Sequence, residues 1–205
     1  MHINDALLNM LKTTPHKEWP LPDITGTMRG KQALIVGSGR CVWEDLALLG
    51  ASARSYDVFA INDIIMHLNL PVAHAVSNDA PWLSRWVAAR RPYYRSQVDM
   101  DQPIKLHSNK PGEHIDYVWA IPGTGTSGLT AALIVCAMGY DMGVLAGVPM
   151  DGTDHYFDPP ASHPVVYDSH NYAPHFRHWE RAQANFFEGK IRSVSGNTRE
   201  LLGAP

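Results

Sequence analysis

At 205 residues and 22.7 kDa the chain has the size of one domain, long enough to bury a core without disulfide or metal staples. Apolar residues make up 45% and charged residues 18%, which excludes a disordered or fibrous chain. Seventeen basic against twenty acidic residues give a net charge of −3, which excludes a generic basic nucleic-acid binder.

In chain order, residues 1–31 read as a leader: 6–11 make a short amphipathic turn, and Pro15, Pro20 and Pro22 prevent a long helix. The run 33–36 is a buried strand entering the turn Gly37-Ser38-Gly39, and 42–49 has helical spacing. Strands are expected at 57–62 and 72–76, then a helix opened by Pro81 that runs to about Arg90 and stops at Pro92. Residues 93–122 carry at most two short strands, near Ile104 and Tyr117. Gly123 to Gly128 leads into a helix over 129–138 that is apolar on all sides and therefore buried, with Gly139 placed as its C-cap. A buried strand follows at 142–148 and a long loop or lid at about 151–175. A helix at 176–188, a strand at 190–194 and a closing turn at 198–202 complete the chain.

Alternating apolar strands and helices predict an α/β fold: a single Rossmann-like domain over 32–205, its mostly parallel sheet flanked by helices. In such sheets ligands bind beyond the carboxyl ends of the strands, which singles out 37–41, Asn62 and Asp63, 77–79 and 147–151. Cys41 and Cys136 lie inside apolar segments, a usage that points to a reducing cytoplasm rather than a disulfide framework. No signal peptide is evident at the N-terminus, and the apolar run 129–138 is half the ~20 residues a bilayer requires, so no integral membrane segment is expected.

Three features carry chemistry. Gly37-Ser38-Gly39 offers backbone N–H groups to a phosphate, although Val42 stands where a dinucleotide fingerprint has its third glycine; Asp63 falls near the place of a ribose-binding acid. The alternative is a tight strand–helix turn with no ligand. Thr124 to Gly128 presents hydroxyls and N–H groups at a helix start, to hold an anion or simply to cap, through Thr126 or Ser127. Finally, His155, His163, His170, His175 and His178 crowd beside Asp151, Asp154, Asp158 and Asp168, and His175 and His178 share a helix face at i, i+3. Histidine is the usual general base near neutral pH; solvated loop histidines are the plain alternative. With no His-Glu-x-x-His and no paired cysteines, no metal site is expected. Tyr156, Tyr167 and Tyr172 either donate hydroxyls to a leaving phosphate or pack the loop; Trp82, Trp86 and Trp179 are expected in the core, and Arg85, Arg90, Arg91 and Arg95 on a solvated face.

The segments Ile35-Val36-Gly37-Ser38-Gly39, Tyr56 to Asn62, Val76-Ser77-Asn78, Thr126-Ser127-Gly128-Leu129 through Gly139-Tyr140 to Gly147, and the tail 191–202 resemble those of bacterial sialyltransferases of glycosyltransferase family 42. Related sialyltransferase-like domains, some from phages, share this pattern. The resemblance implies a transferase without a bound metal or cofactor that moves a sugar from a CMP-sialic-acid-like donor to a glycan or other acceptor hydroxyl. It implies that Gly37, Ser38 and Gly39 lie at the donor phosphate and ribose, with Asn62 and Asn78 near the nucleotide. Thr126, Ser127 and Gly128 would then hold the sugar carboxylate and the cytidine. His175 matches the family's base, with His178 and His170 as alternatives, and Tyr156 and Tyr172 match tyrosines that support the departing phosphate. Arg40-Cys41 replaces the family's common Pro-Ser, and Thr124 stands where an arginine is usual. Two other functions stay open: a pyrophosphokinase-like nucleotide-dependent transferase, and a non-catalytic nucleotide- or sugar-binding module; a homo-oligomer is compatible with every one of these readings.

Overall fold

A computed structural model describes residues 21–94, 103–121, 124–153, 155–157 and 172–205, with the side chains of 91–94, 172 and 173 outside the description. Seven strands form one sheet: β1 (Gln32–Val36), β2 (Asp57–Ile61), β3 (His74–Val76), β4 (Lys105–Ser108), β5 (Tyr117–Val118), β6 (Met142–Ala146) and β7 (Ile191–Ser193). Their order is β5-β4-β3-β2-β1-β6-β7, and every pairing is parallel. Among the described residues five helices flank it: α1 (Val42–Leu49), α2 (Ala80–Tyr94), α3 (Ser127–Met138), α4 (Tyr172–Ala182), which continues into a π-helical turn (Gln183–Phe187), and α5 (Gly196–Leu202). The chain steps from β1 to β5 in one direction and then returns to the other side of β1 with β6. The order therefore reverses between β1 and β6, where an open α/β sheet forms its crevice.

The central strands β1, β2 and β6 are apolar after their first residues because both faces are covered. Along β1, Ala33 and Ile35 face a core built with α3, Trp119, Trp179 and Phe187, while Leu34 and Val36 face Val42, Ile64, Ile65, Leu83 and Val87 on the other side. Every residue of α3 is buried, as its all-round apolar sequence requires. Gly139 ends it in the left-handed region (φ 87°) as its C-cap. The described part of the expected leader lies against this helix: Leu21, Ile24 and Met28 pack on its core, and the Gly26 and Met28 N–H groups donate to the Ala137 and Met138 carbonyls.

Several elements differ from expectation. Helix α2 passes through Pro92 to Tyr94, since a proline in the last turn removes only one ladder bond while Leu83, Val87 and Arg90 anchor the preceding turns. Helix α4 starts four residues early, with Pro174 in its first turn, where the missing N–H costs nothing. The closing turn is a full helix, α5. Trp179 is in the core, but Trp82 is 52% exposed and stacks on the half-buried Trp86, because it occupies the outward side of α2's first turn; Trp119 fills the core instead.

Arg90 is not on a solvated face. It is 1% exposed, and its guanidinium donates to the carbonyls of Ile65, Leu68 and Leu70 at 2.6–2.7 Å, satisfying the end of the 3₁₀ turn Asn62–Met66. Both cysteines are free thiols, Cys136 buried in α3 and Cys41 half-buried.

The core also holds a polar chain that the sequence does not announce. Trp119 Nε1–H donates to His107 Nδ1 (3.0 Å), which leaves the His107 proton on Nε2, directed at His74 Nδ1 (2.9 Å). His74 then carries its own proton on Nε2, 3.4 Å from Tyr140 Oη, and Tyr140 donates to Asp57 Oδ2 (2.9 Å). Both rings are neutral: burial pushes His74 down to about 4 and holds His107 well below the usual imidazole range. The unfolded chain binds protons on these two residues from about pH 6.5 downward while the folded chain excludes them, so stability falls as pH falls. From His74 alone the loss is about 3 kcal/mol once the pH reaches about 4, with His107 adding in the same sense. Urea unfolding at pH 7.5 and 4.5 checks this; a midpoint unchanged over that span contradicts neutral burial of the pair.

Candidate functional site

The ends of β1 and β6 are zipped together. Gly37 N–H donates to the Ala146 carbonyl (2.8 Å) and Gly39 N–H to that of Gly147 (2.9 Å). A Cβ on Gly37 would lie 2.6 Å from the Gly147 carbonyl oxygen, and one on Gly147, whose φ is 66°, would lie 2.5 Å from that of Gly37. The glycines of this turn are thus demanded by backbone contact, and the N–H groups of Gly37 and Gly39, expected to face a phosphate, are committed to the neighbouring strand. Beneath them the buried Asp45 carboxylate accepts from Gly147 N–H (2.8 Å) and from the Ser195 hydroxyl (2.7 Å), and Ser195 meets Cys41 Sγ at 3.1 Å. Burial pushes the Cys41 thiol up to about 11, which leaves it a structural partner and not a nucleophile at neutral pH.

Beyond these strand ends opens a cleft of ≈ 460 Å³, within the range that small-molecule sites occupy. Gly37, Ser38, Gly39, Asn62, Asn78, Thr126, Ser127, Gly128 and His175 all line it, so the structure brings together every substrate-binding candidate and the first choice of base. Asp79 and 147–151 line it as well, whereas Arg40, Cys41, Asp63 and Ser77 do not. Asn62 and Met150, both on the lining, are non-glycine residues at positive φ (56° and 52°), strain of a kind that concentrates at functional sites.

The walls are cross-linked by their own polar groups. Asn62 Oδ1 accepts from the Ser77 hydroxyl (2.8 Å). Asn78 ties β3 to α3: its N–H donates to Ser127 Oγ (3.0 Å), and its Oδ1 accepts from Thr130 (2.8 Å). Thr126 caps α3 by accepting from Leu129 N–H (3.2 Å), which leaves the N–H groups of Ser127 and Gly128 without intrahelical partners at the cleft wall. His175, in the first turn of α4, lies over Gly125, whose φ is 71°; a Cβ there would come 2.5 Å from His175 Nδ1. His178, one turn on, is half-buried and off the lining.

The tyrosine candidates lie elsewhere. Tyr156 turns its ring toward Trp43 (5.4 Å between centroids) and His67 (5.7 Å), off the cleft lining, and the side chain of Tyr172 is outside the description. Asp154, Asp158, His163, Tyr167, Asp168 and His170 also fall outside the described residues. A residue absent from the catalytic candidates, His155, enters the cleft. Its backbone bridges Gly39, and its Nδ1 lies 2.9 Å from Ser38 Oγ. Its place four residues after Asp151, just past the end of β6, was the available signal. Asp63 sits nearby, its carboxyl pushed up by burial and drawn back by His155.

Among the described residues no lysine or arginine lines the cleft, and none occurs in the sequence from Asp151 to Phe176. Among the described residues Asp79 and Asp151 are the carboxylates on the lining, and no three His, Cys, Asp or Glu side chains converge.

Comparison with protein-family models gives no match, and none is found among curated proteins. Among solved structures the chain is similar to the Maf glycosyltransferase from Magnetospirillum magneticum AMB-1, at 14% identity and a TM-score of 0.44. The likeness covers 82% of this chain and 30% of that one, so the chain spans under a third of that protein's length. A likeness of this degree assigns neither activity nor residues. Among the described residues no helix is long and apolar enough to cross a membrane.

Proposed function

We propose that the chain is a glycosyltransferase that moves a sialic-acid-like sugar from a CMP-activated donor to an acceptor hydroxyl. The observation that carries this reading is the cleft at the sheet's switch point, polar and preorganised, which joins a helix N-terminus and a histidine with no lysine or arginine among its described lining residues. A diphosphate needs concentrated positive charge or a cation, whereas a phosphodiester with a single negative charge can be met by N–H groups, hydroxyls and imidazole. The family resemblance read from the motifs points to the same donor.

In the proposed reaction His175 accepts the proton of the acceptor hydroxyl as its oxygen bonds to the sugar's anomeric carbon. The bond from that carbon to the phosphate oxygen breaks, and CMP departs with the electron pair. The open N–H groups of Ser127 and Gly128 suit the sugar carboxylate, and Asn62 and Asn78, fixed by their bonds to Ser77 and Thr130, shape the nucleotide side. CMP is a good leaving group, so the scheme calls on no metal or cofactor. Tyr172 remains a proposed donor to the leaving phosphate. With its ring against Trp43 and His67, Tyr156 has a packing role instead.

Thermal unfolding with CMP, CDP, UDP, GDP, ATP and NAD, each with and without magnesium, tests the reading. CMP at about 100 times its Kd is expected to add about 2.7 kcal/mol, a rise of several degrees, indifferent to magnesium. A rise only with a di- or triphosphate plus magnesium would instead support the pyrophosphokinase-like transferase. No rise with any ligand would reject the donor assignment.

A further inference from the structure

The turn Gly37-Ser38-Gly39 faces the cleft, yet the N–H groups of both glycines are spent on β6. The side-chain donor the turn still offers is the hydroxyl of Ser38, a residue only 7% exposed, and that hydroxyl is held by His155 at 2.9 Å. His155 is fixed by its backbone and by its ring. Its backbone bridges Gly39, the next residue's N–H donates to the Ser38 carbonyl (2.9 Å), and Phe157 stacks on the ring at 5.2 Å and 7°.

This geometry decides what Ser38 shows a ligand. With a proton on Nδ1, His155 donates to Ser38 Oγ and the serine O–H is free to point into the cleft as a donor. With Nδ1 bare, the serine proton turns back to the ring, and the cleft sees only lone pairs, which repel an anion. We propose that His155 is a positioning residue for the donor phosphate: its Nδ1–H fixes Ser38 as a hydrogen-bond donor to a phosphate oxygen. The proposal rests on the reading of the cleft as a nucleotide-sugar site. It supplies the anion recognition that the spent backbone N–H groups and the turned-away Tyr156 do not.

The test measures the Kd for CMP of the full chain and of Ser38→Ala, His155→Phe, their double variant and His155→Asn. Phenylalanine keeps the ring stack without the nitrogens, and asparagine places a permanent N–H near the Nδ1 position. Each of the first two variants is expected to weaken binding about tenfold, and the double variant no further, because both act through one hydrogen bond. His155→Asn, which keeps an N–H donor at that position, is expected to bind within about threefold of wild type. Unliganded melting curves show which variants fold; if His155→Phe does not, Ser38→Ala and the rescue by His155→Asn decide. The relay is overturned by losses that multiply to about a hundredfold, by single variants that bind like wild type, or by His155→Asn binding as weakly as Ser38→Ala. If wild type does not bind CMP, the series is run with inorganic phosphate. Phosphate binding lost in Ser38→Ala and His155→Phe keeps the relay and discards the cytidine assignment. Binding insensitive to both variants, or no phosphate binding at all, overturns it.

Discussion

Gly147→Ala is expected to lower stability by about 3 kcal/mol or more, a fall of about 10 °C in melting temperature for a chain of this size. Two costs combine. The residue has φ 66°, a region that an L side chain occupies at a cost of roughly 1–2 kcal/mol. Its new methyl would also stand 2.5 Å from the Gly37 carbonyl oxygen and 2.7 Å from Val42 Cβ, so the β1 and β6 ends must separate. That movement strains the bonds of Gly37 and Gly39 and the Asp45 bond to Gly147, and it deforms the cleft floor. Gly30→Ala is the control: its φ is also positive, at 78°, but nothing lies within 4 Å of the added carbon. It is expected to cost only roughly 1–2 kcal/mol. Chemical denaturation of the two variants separates backbone strain from close approach; equal losses would mean that the strand-end contact carries no energy of its own.

The second large effect concerns the base. Removing a general base typically costs 10²–10⁴-fold, so His175→Ala is expected to slow transfer by about that factor while CMP still binds within about threefold of wild type. His178→Ala, one turn farther along α4 and off the cleft lining, is expected to leave turnover within about twofold. Initial-rate and binding measurements on the two variants read the contrast. Equal losses at both positions, or a loss of CMP binding that matches the loss of rate in His175→Ala, would remove His175 from the base role.

The parts of the fold that could be read from the sequence are those where burial is continuous. The strands β1, β2 and β6 are unbroken apolar runs and α3 is apolar on every side, because the sheet and this helix are covered all round. The carboxyl-end rule then placed most of the cleft, since Gly37, Asn62, Asn78 and Gly147 each fall within two residues of a strand's end. What escaped were polar residues whose roles depend on distant partners. Arg90 looks solvated in a run of arginines until the carbonyls of Ile65, Leu68 and Leu70 close around it. His74 and His107 lie far apart in sequence and become a neutral pair only when β3 and β4 align, and Trp119 gives no sign that its N–H fixes their tautomers. The edge strand β5 and its neighbour β4 are short and carry Lys105, His107 and Tyr117, so they were legible only as short strands near Ile104 and Tyr117, with no apolar run to set their bounds. His155 was hidden among four other histidines. Only the bridge between its backbone and Gly39 selects it for the cleft.

Binding of a CMP-activated donor in this cleft, as proposed above, is checked by mapping CMP onto the backbone amides in ¹H–¹⁵N spectra. Perturbations that saturate together and centre on Ser38, Asn62, Asn78, Gly128 and Gly147 are expected. Spectra unchanged at millimolar CMP, or perturbations gathered instead around Asn197 and Arg199 in the shallow depression at α5, would contradict it.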